Sequence, residues 1–352
     1  MSASAAAPTK SAERAKSAPR KHHYVPVFYQ LNFINENGLL WVYDRVRGSY
    51  KELHPSCICS EKNLYAARPE GKPLDMQVET KILGFIDYVG SRGIRDFIIN
   101  KPSRDAEYEV ALFMAFQWTR VPTMSRDIRT TYAQLINELC RVAFANVERA
   151  QSVLDQHKRE TGEVLDLTPE SMVESVRDKH FEIVATETAF LTNMIDQAMR
   201  LAEVLRRLDW EMLIASDETG FIICDCPVVV VPPKGCNDVG FVVPGSAKYF
   251  PISRHLCLRL GEPGNKRRLR KLDKEDVRTV NFNVAANSER FIMGPSQVQL
   301  ENIVNRSASQ QIEATPRVIV ETVESDDNGS LQKLVSQKRR YFYPKNGASQ
   351  AP

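Results

Sequence analysis

The sequence predicts an α+β fold: a mixed sheet built from N-terminal and C-terminal strands, with a central helical block against it. Three observations carry this. Apolar residues recur at steps of three and four through about 74–208. Short apolar runs bounded by Gly, Pro, Asn and Asp lie on either side of that block. No repeat at a solenoid period breaks the order of strands, helices and strands.

The elements follow in order. Residues 1–20 are rich in Ala, Ser, Pro and Lys, offer nothing to bury, and are expected to be disordered. Pro26 suits the first position of a short helix, Val27–Phe33, because its missing N–H costs nothing there. Leu39–Tyr43 and Tyr50–Leu53 flank the turn-like Arg45–Ser49 and predict a β-hairpin. Val78, Ile82, Phe85, Ile86 and Val89 mark one helix; Val110, Phe113, Met114 and Trp118 mark the next, which Pro122 is expected to end or kink. Another runs through Tyr132, Leu135, Ile136, Leu139, Ala143 and Val147. After Gly162, Thr168-Pro169-Glu170 reads as an N-cap and first turn, opening a helix with Val173, Val176, Phe190, Ile195, Met199 and Leu205. Strands are predicted at Trp210–Ala215, Phe221–Cys224, Val228–Val231, Gly240–Val243, Tyr249–Ile252 and Leu256–Leu260. A helix over Asp273–Asn287 and strands at Arg290–Met293 and Arg317–Val320 complete a single domain of 21–323. The stretch 324–352 is expected to be mostly disordered, with a short helix at Leu331–Gln337.

With 352 residues, 43% of them apolar, the chain can bury a substantial core. A net charge of +3 neither demands nor excludes a nucleic-acid partner, because local patches matter more than the sum. Seven cysteines, an odd number spread over a long chain, do not form a disulfide framework. The N-terminus lacks the hydrophobic segment of a secretory signal. Arg14, Lys16, Arg20 and Lys21 among serines suggest an organelle transit peptide, but Glu13 and Pro19 fit that poorly and a disordered tail is simpler. No apolar run reaches membrane-spanning length, so no membrane partner is expected and the cytoplasm is the expected compartment. Phosphate loops, nucleophile elbows, zinc-protease helices and dinucleotide fingerprints are missing from the sequence, which removes the most readable enzyme classes.

The order of short motifs resembles an uncharacterised, largely bacterial family of unknown function. The opening His22-His23-Tyr24-Val25-Pro26, with Phe28-Tyr29 and Phe33, resembles its N-terminal signature, and Leu40-Trp41-Val42-Tyr43-Asp44 resembles the strand that follows. Glu79, Gln117-x-x-Arg120-x-Pro122, Asp225-x-Pro227, Pro251-Ile252-Ser253 and Asn281 continue the match in order, so the resemblance covers about Lys21–Met293. It implies a shared fold and supplies no mechanism. Where that family usually has Ser-Asp-x-Pro, this chain has Cys224-Asp225-Cys226-Pro227, which weakens any argument for those cysteines as required ligands.

Six residues stand out as candidate catalytic groups: His22, His23, Glu79, Gln117, Arg120 and Asp225. Adjacent imidazoles bind metals or shuttle protons near neutrality, and before a helix N-terminus they suit an anion; structurally, they satisfy backbone carbonyls. Gln117 and Arg120 share a helix face and can clamp a phosphate or carboxylate; alternatively they cap the helix end and pair with a carboxylate such as Glu79. Asp225 ends an apolar strand, where either a base, a metal ligand or an Asx turn belongs. Glu79-Thr80-Lys81 has the Glu-x-Lys spacing of metal nucleases, but on a helical period. Cys57-x-Cys59 with Cys224-x-Cys226 counts as four thiolates, though zinc sites favour two intervening residues, and buried free thiols fit better. Lys266, Arg267, Arg268, Arg270 and Lys271 form the densest basic run, either a nucleic-acid contact or a solvated loop.

These residues motivate one reading: a hydrolase acting on a phosphate-containing substrate, nucleic acid among the candidates, through a His/Asp/Arg cleft with a divalent metal ion as the suggested cofactor. The alternative is a non-enzymatic binding or sensor protein whose polar motifs are structural. Whether the chain is an enzyme stays open at this level. The two readings differ in whether the six groups meet in one pocket or are separately paired.

Overall fold

The computed structural model describes residues 21–67, 74–178, 186–216, 219–234, 240–308, 319–325 and 329–335. The chain opens with β1 (Lys21–His23), α1 (Val27–Gln30) and a 3-10 turn at Leu31–Phe33. Pro26 is the N-cap of α1, with extended backbone, rather than its first residue. Strands β2 (Leu40–Asp44) and β3 (Ser49–Leu53) form the expected hairpin. A 3-10 turn at Pro55–Cys57 leads to β4 (Ser60–Lys62), which pairs back on β1 with His22 opposite Glu61.

A π-helical turn, Val78–Leu83, runs into α2 (Gly84–Ile98), followed by α3 (Arg104–Thr119). Ser103 caps α3, accepting from the Ala106 amide at 3.0 Å. From Glu109 to Gln117 every residue of α3 is buried, so it is the central helix of the block. It meets α2 closely: a Cβ on Gly90 would lie 2.5 Å from Phe113 Cδ2, so only glycine admits this approach. Pro122 does not kink α3. It opens α4 (Pro122–Ala143) at a position where no N–H is needed, after α3 has ended at Thr119.

The helices α5 (Val147–Thr161) and α6 (Pro169–Arg177) follow. Thr168 caps α6 through a reciprocal pair with Ser171, and Pro169 opens it, as expected. The single helix expected through Val173 and Leu205 is two, α6 and α7 (Glu187–Arg206), because the chain needs a new cap at Thr186 to start the buried face of Phe190, Met194 and Ala198. The apolar stripe Leu135, Leu139 and Val142 of α4 is exposed, not packed on the sheet.

Strands β5 (Leu208–Ile214), β6 (Ile223–Cys224), β7 (Val229–Val231), β8 (Ala247–Ser253), β9 (Leu256–Pro263) and β10 (Arg267–Lys271) come next. After them lie α8 (Lys274–Asn287), β11 (Phe291–Gly294), α9 (Gln297–Ala308), and the hairpin of β12 (Ile319–Ser325) and β13 (Gly329–Val335). Gly240–Val243 is a turn, with Val242 exposed: its apolar residues have no strand to pair with. The predicted strand Phe221–Cys224 shortens to β6, since Asn281 takes the Ile222 amide as a side-chain bond. The predicted helix at Leu331–Gln337 is a strand as far as Val335, paired with β12; residues 336–337, like 1–20, lie outside the described residues.

Two sheets organise the domain. One, ordered β3-β2-β11-β6, joins N-terminal hairpin to C-terminal strands and is antiparallel throughout. The other, β10-β5-β9-β8-β7, is antiparallel except for its edge pair β10 and β5. A continuous apolar core links both sheets to α2, α3 and α7. At its centre Tyr29 stacks on Phe250 at 5.2 Å and donates its hydroxyl to the Pro251 carbonyl, tying the N-terminal segment to β8. The basic run 267–271 is thus an edge strand rather than a loop, and its charges blunt that edge against further pairing.

Candidate functional site

Arg120, at the end of α3, is the hub of the polar residues. Its side chain is 1% exposed, and its guanidinium makes three hydrogen bonds to two partners within the protein. Nε and Nη2 both donate to Gln117 Oε1, at 3.1 and 2.6 Å, and Nη1 donates to Asp87 Oδ1 at 2.8 Å. The guanidinium also lies over the Phe113 ring at 5.4 Å. Gln117 uses its amide N–H to hold the Tyr24 carbonyl at 2.7 Å. A buried guanidinium bonded from all three nitrogens acts as a structural tie; breaking one partner of such a pair costs about 3–5 kcal/mol.

The N-terminal strand closes over this hub. Tyr65 stacks on His22 at 5.7 Å, sends its amide N–H to His22 Nδ1 at 3.0 Å, and donates its hydroxyl to the Arg120 carbonyl at 2.9 Å. His22 is fully buried, so its Nδ1 is an acceptor and the ring has the Nε2–H tautomer when neutral. His23, one residue on, faces the other way and bonds through Nε2 to the Ser56 carbonyl at 3.2 Å. Desolvation lowers its pKa below the ordinary imidazole value, with Lys21 adding to the effect and Asp87 opposing it. Glu79 stands on the π-helical turn, a geometry that often marks functional positions. Burial raises its carboxyl to about 7; Arg120 pulls it down and Asp87 pushes it up. Lys81, the other half of the Glu-x-Lys pair, bonds instead to Gln77 one turn back, so a helix and not a nuclease strand carries that spacing.

Three of the six candidates, His22, Gln117 and Arg120, are linked by the contacts above. Glu79 feels the charges of Arg120 and Asp87, and His23 that of Asp87, without bonding to the hub. Asp225 lies beyond Tyr24 in the wall of a separate pocket of about 450 Å³. It caps the turn before β11: Oδ1 accepts from the Glu289 amide at 2.9 Å, and Oδ2 accepts from Arg290 and Phe291 at 2.7 and 3.1 Å. Burial raises Asp225 to about 6, against the pull of those three N–H groups. The turn so held presents Glu289 and Arg290. Arg290 reaches back to Asp44 at the end of β2, with Nη2 at 2.9 Å from Oδ2, while Glu289 accepts from Thr123 and Arg126 of α4. Two carboxylates, Asp225 and Asp44, therefore assemble the floor of the pocket from three separate elements. Arg290 holds Asp44 below the usual carboxylate range, though burial opposes it.

Reading the sequence alone missed Asp44, Glu61, Arg126 and Glu289 as pocket residues. Thr123 and Arg126 continue the Gln117-x-x-Arg120-x-Pro122 run at the next i, i+3 spacing, which was the available signal. Glu61 had none: it reaches the pocket mouth only because β4 pairs with β1. Desolvation raises its pKa, Arg126 lowers it and Glu289 raises it.

The cysteines and basic residues take structural places. Cys59, Cys224 and Cys226 are buried and Cys57 is exposed; Cys59 contacts Met293 Sδ at 3.7 Å, and the Cys226 thiol meets Thr123 Oγ1 at 3.5 Å. Among the described residues no group of three or more His, Cys, Asp or Glu side chains stands close enough to hold a metal ion. In the basic run, Arg267 pairs with Glu107 of α3 and Arg270 with Glu211 of β5. Among the described residues no helix is long and apolar enough to cross a membrane.

One family model, described as a protein of unknown function (DUF4238), matches residues 21–297, which is most of the chain. No curated protein and no solved structure matches it.

Proposed function

We propose that this chain, which belongs to the DUF4238 family of unknown function, binds a small polar ligand carrying both charge signs in the pocket between the β2–β3 hairpin, β4 and the Glu289–Phe291 turn. The observation that carries this is the pocket's lining. Four cations (Arg47, Lys51, Arg126 and Arg290) face four carboxylates (Asp44, Glu61, Asp225 and Glu289) around one cavity. Asp225 and Asp44 fix the floor, and so pre-organise the site. Lys51 and Glu61 at the rim supply opposite charges for a carboxylate and an ammonium.

Binding is favoured over hydrolysis of a phosphate-containing substrate by how the six sequence candidates are used. Arg120 gives its donors to Gln117 and Asp87, and Asp225 has both oxygens on backbone N–H groups. Three of the five Arg120 N–H donors and both Asp225 oxygens are thus engaged by the fold, which leaves little for a phosphate or for proton transfer. The test is a thermal-shift panel of amino acids and dipeptides, run with the full chain and with a Lys51→Ala/Glu61→Gln variant. A zwitterion that raises the melting temperature of the full chain only is the expected result. Turnover of p-nitrophenyl phosphate or its bis-ester, lost in Asp225→Asn, would overturn the binding reading; so would a panel with no hit.

A further inference from the structure

We infer that a second cavity, remote in sequence from the first, is a binding site for a small phosphate-bearing molecule. It measures about 620 Å³ and lies between the loop at 35–37, the β8–β9 turn and the adjoining faces of α8 and α9. Its charge is one-sided. Arg254, His255, Lys274, Arg278 and Arg306 line it; among the described lining residues Glu36 is the one carboxylate, and Glu275 pairs with Arg278 from beside the cavity. In a chain whose whole net charge is +3, that is a strong local concentration.

Arg254 makes the cavity more than a basic patch. It sits in the turn between β8 and β9, its backbone fixed on both sides: its N–H donates to Asn32 and its carbonyl accepts from Phe221. Its side chain is half-buried, and Nε is buried without a hydrogen-bond partner. A buried donor left unmet is costly and rare in a folded protein, and a guanidinium is the least suited of all groups to be left so. The Arg120 guanidinium, by contrast, is bonded by the protein from three nitrogens. A phosphate accepting from the Arg254 fork satisfies the unmet donor. Its several oxygens can also meet the other basic side chains of the lining, so phosphate is the matching class. The body of the ligand is organic: Phe282, Val298 and Ile303 give the cavity an apolar side, and Arg306 lies over the Phe282 ring at 5.8 Å.

The experiment is calorimetric titration of the full chain with ribose 5-phosphate, AMP, inorganic phosphate and citrate at low salt, about 50 mM. Wild type is expected to bind a phosphate ester at one site, more tightly than citrate. Arg254→Gln is expected to weaken that binding about ten- to hundred-fold, as loss of a charge-assisted pair does. Because the Arg254 side chain has no hydrogen-bond or ion-pair partner among the described residues, Arg254→Gln should keep the wild-type melting temperature, which separates ligand loss from unfolding. A control, Arg267→Gln/Arg268→Gln on the basic edge strand, should bind as wild type. The inference fails if no phosphate ester binds, if Arg254→Gln binds unchanged or melts early, or if the edge-strand control loses as much affinity. Citrate binding better than any phosphate would reassign the site to carboxylates and overturn it as well.

Discussion

Glu79 is a carboxylate that the fold holds partly out of water, and replacing it with Gln should stabilise the protein in a pH-dependent way. Its folded pKa is raised from 4.5 to about 7 by burial, which outweighs the Arg120 charge. A carboxyl raised in the folded state contributes stability that is complete below the unfolded pKa and lost as pH climbs through the folded one. For Glu79 that window runs from about 4.5 to about 7. Full burial would make the loss about 3 kcal/mol. Glu79 keeps part of its surface in water, and screening cuts the figure to about 1–2 kcal/mol. Gln has nearly the same shape and no charge to bury. Urea denaturation of wild type and Glu79→Gln at pH 5, 6, 7 and 8 reads the difference. The variant should gain about 1–1.5 kcal/mol relative to wild type between pH 5 and pH 8, most of it between 5 and 7. A difference that stays flat across that range, or that grows toward acid, would show that the Arg120 ion pair, not desolvation, governs Glu79.

Two further outcomes follow from packing. Gly90→Ala should lose about 1–3 kcal/mol in chemical denaturation despite the better helix propensity of alanine, because the new methyl meets Phe113, itself packed by Phe28, Tyr29 and Phe250; a stabilised variant would mean that α2 and α3 are not in close contact. Of the six described thiols, Cys57 should react first with a thiol reagent, while Cys59, Cys224 and Cys257, raised by burial, should react only on unfolding; early labelling of a buried thiol, read by peptide mass, would contradict the placement of β4 or β6.

Much of the architecture was legible because it rests on local pattern. The hairpin at Leu40–Leu53 alternates and carries its own turn, and Thr168-Pro169 states a helix start in two residues. What failed was decided by distant partners. Arg267–Lys271 has no apolar alternation, and becomes a strand only because β5 offers a free edge. Phe221 and Ile222 read as strand, yet Asn281 of α8 takes the Ile222 amide and the Gly220 carbonyl, ending the ladder early. The candidate residues show the same division. His22, Gln117 and Arg120 were visible as unusual polar residues among apolar ones, but nothing local said that they would bond to Tyr65, Tyr24 and Asp87. Arg254, flanked by Ser253 and His255 in a short turn, carried no signal at all.

Tyr24 explains how two groups of polar residues far apart in sequence belong to one construction. Its carbonyl is held by Gln117, and Gln117 holds Arg120, so the backbone of Tyr24 is fixed by the hub under β1. Its side chain is buried on the other side, in the wall of the pocket that holds Asp225 and Cys59. Burial pushes the phenol far above its ordinary value, with Cys59 and Asp225 adding to the effect, so it stays a neutral donor at any working pH. The Arg120 cluster and the pocket wall therefore share one residue. The opposite side of the pocket, the Glu289–Phe291 turn, is held separately by Asp225, so two sets of polar ties hold the two walls.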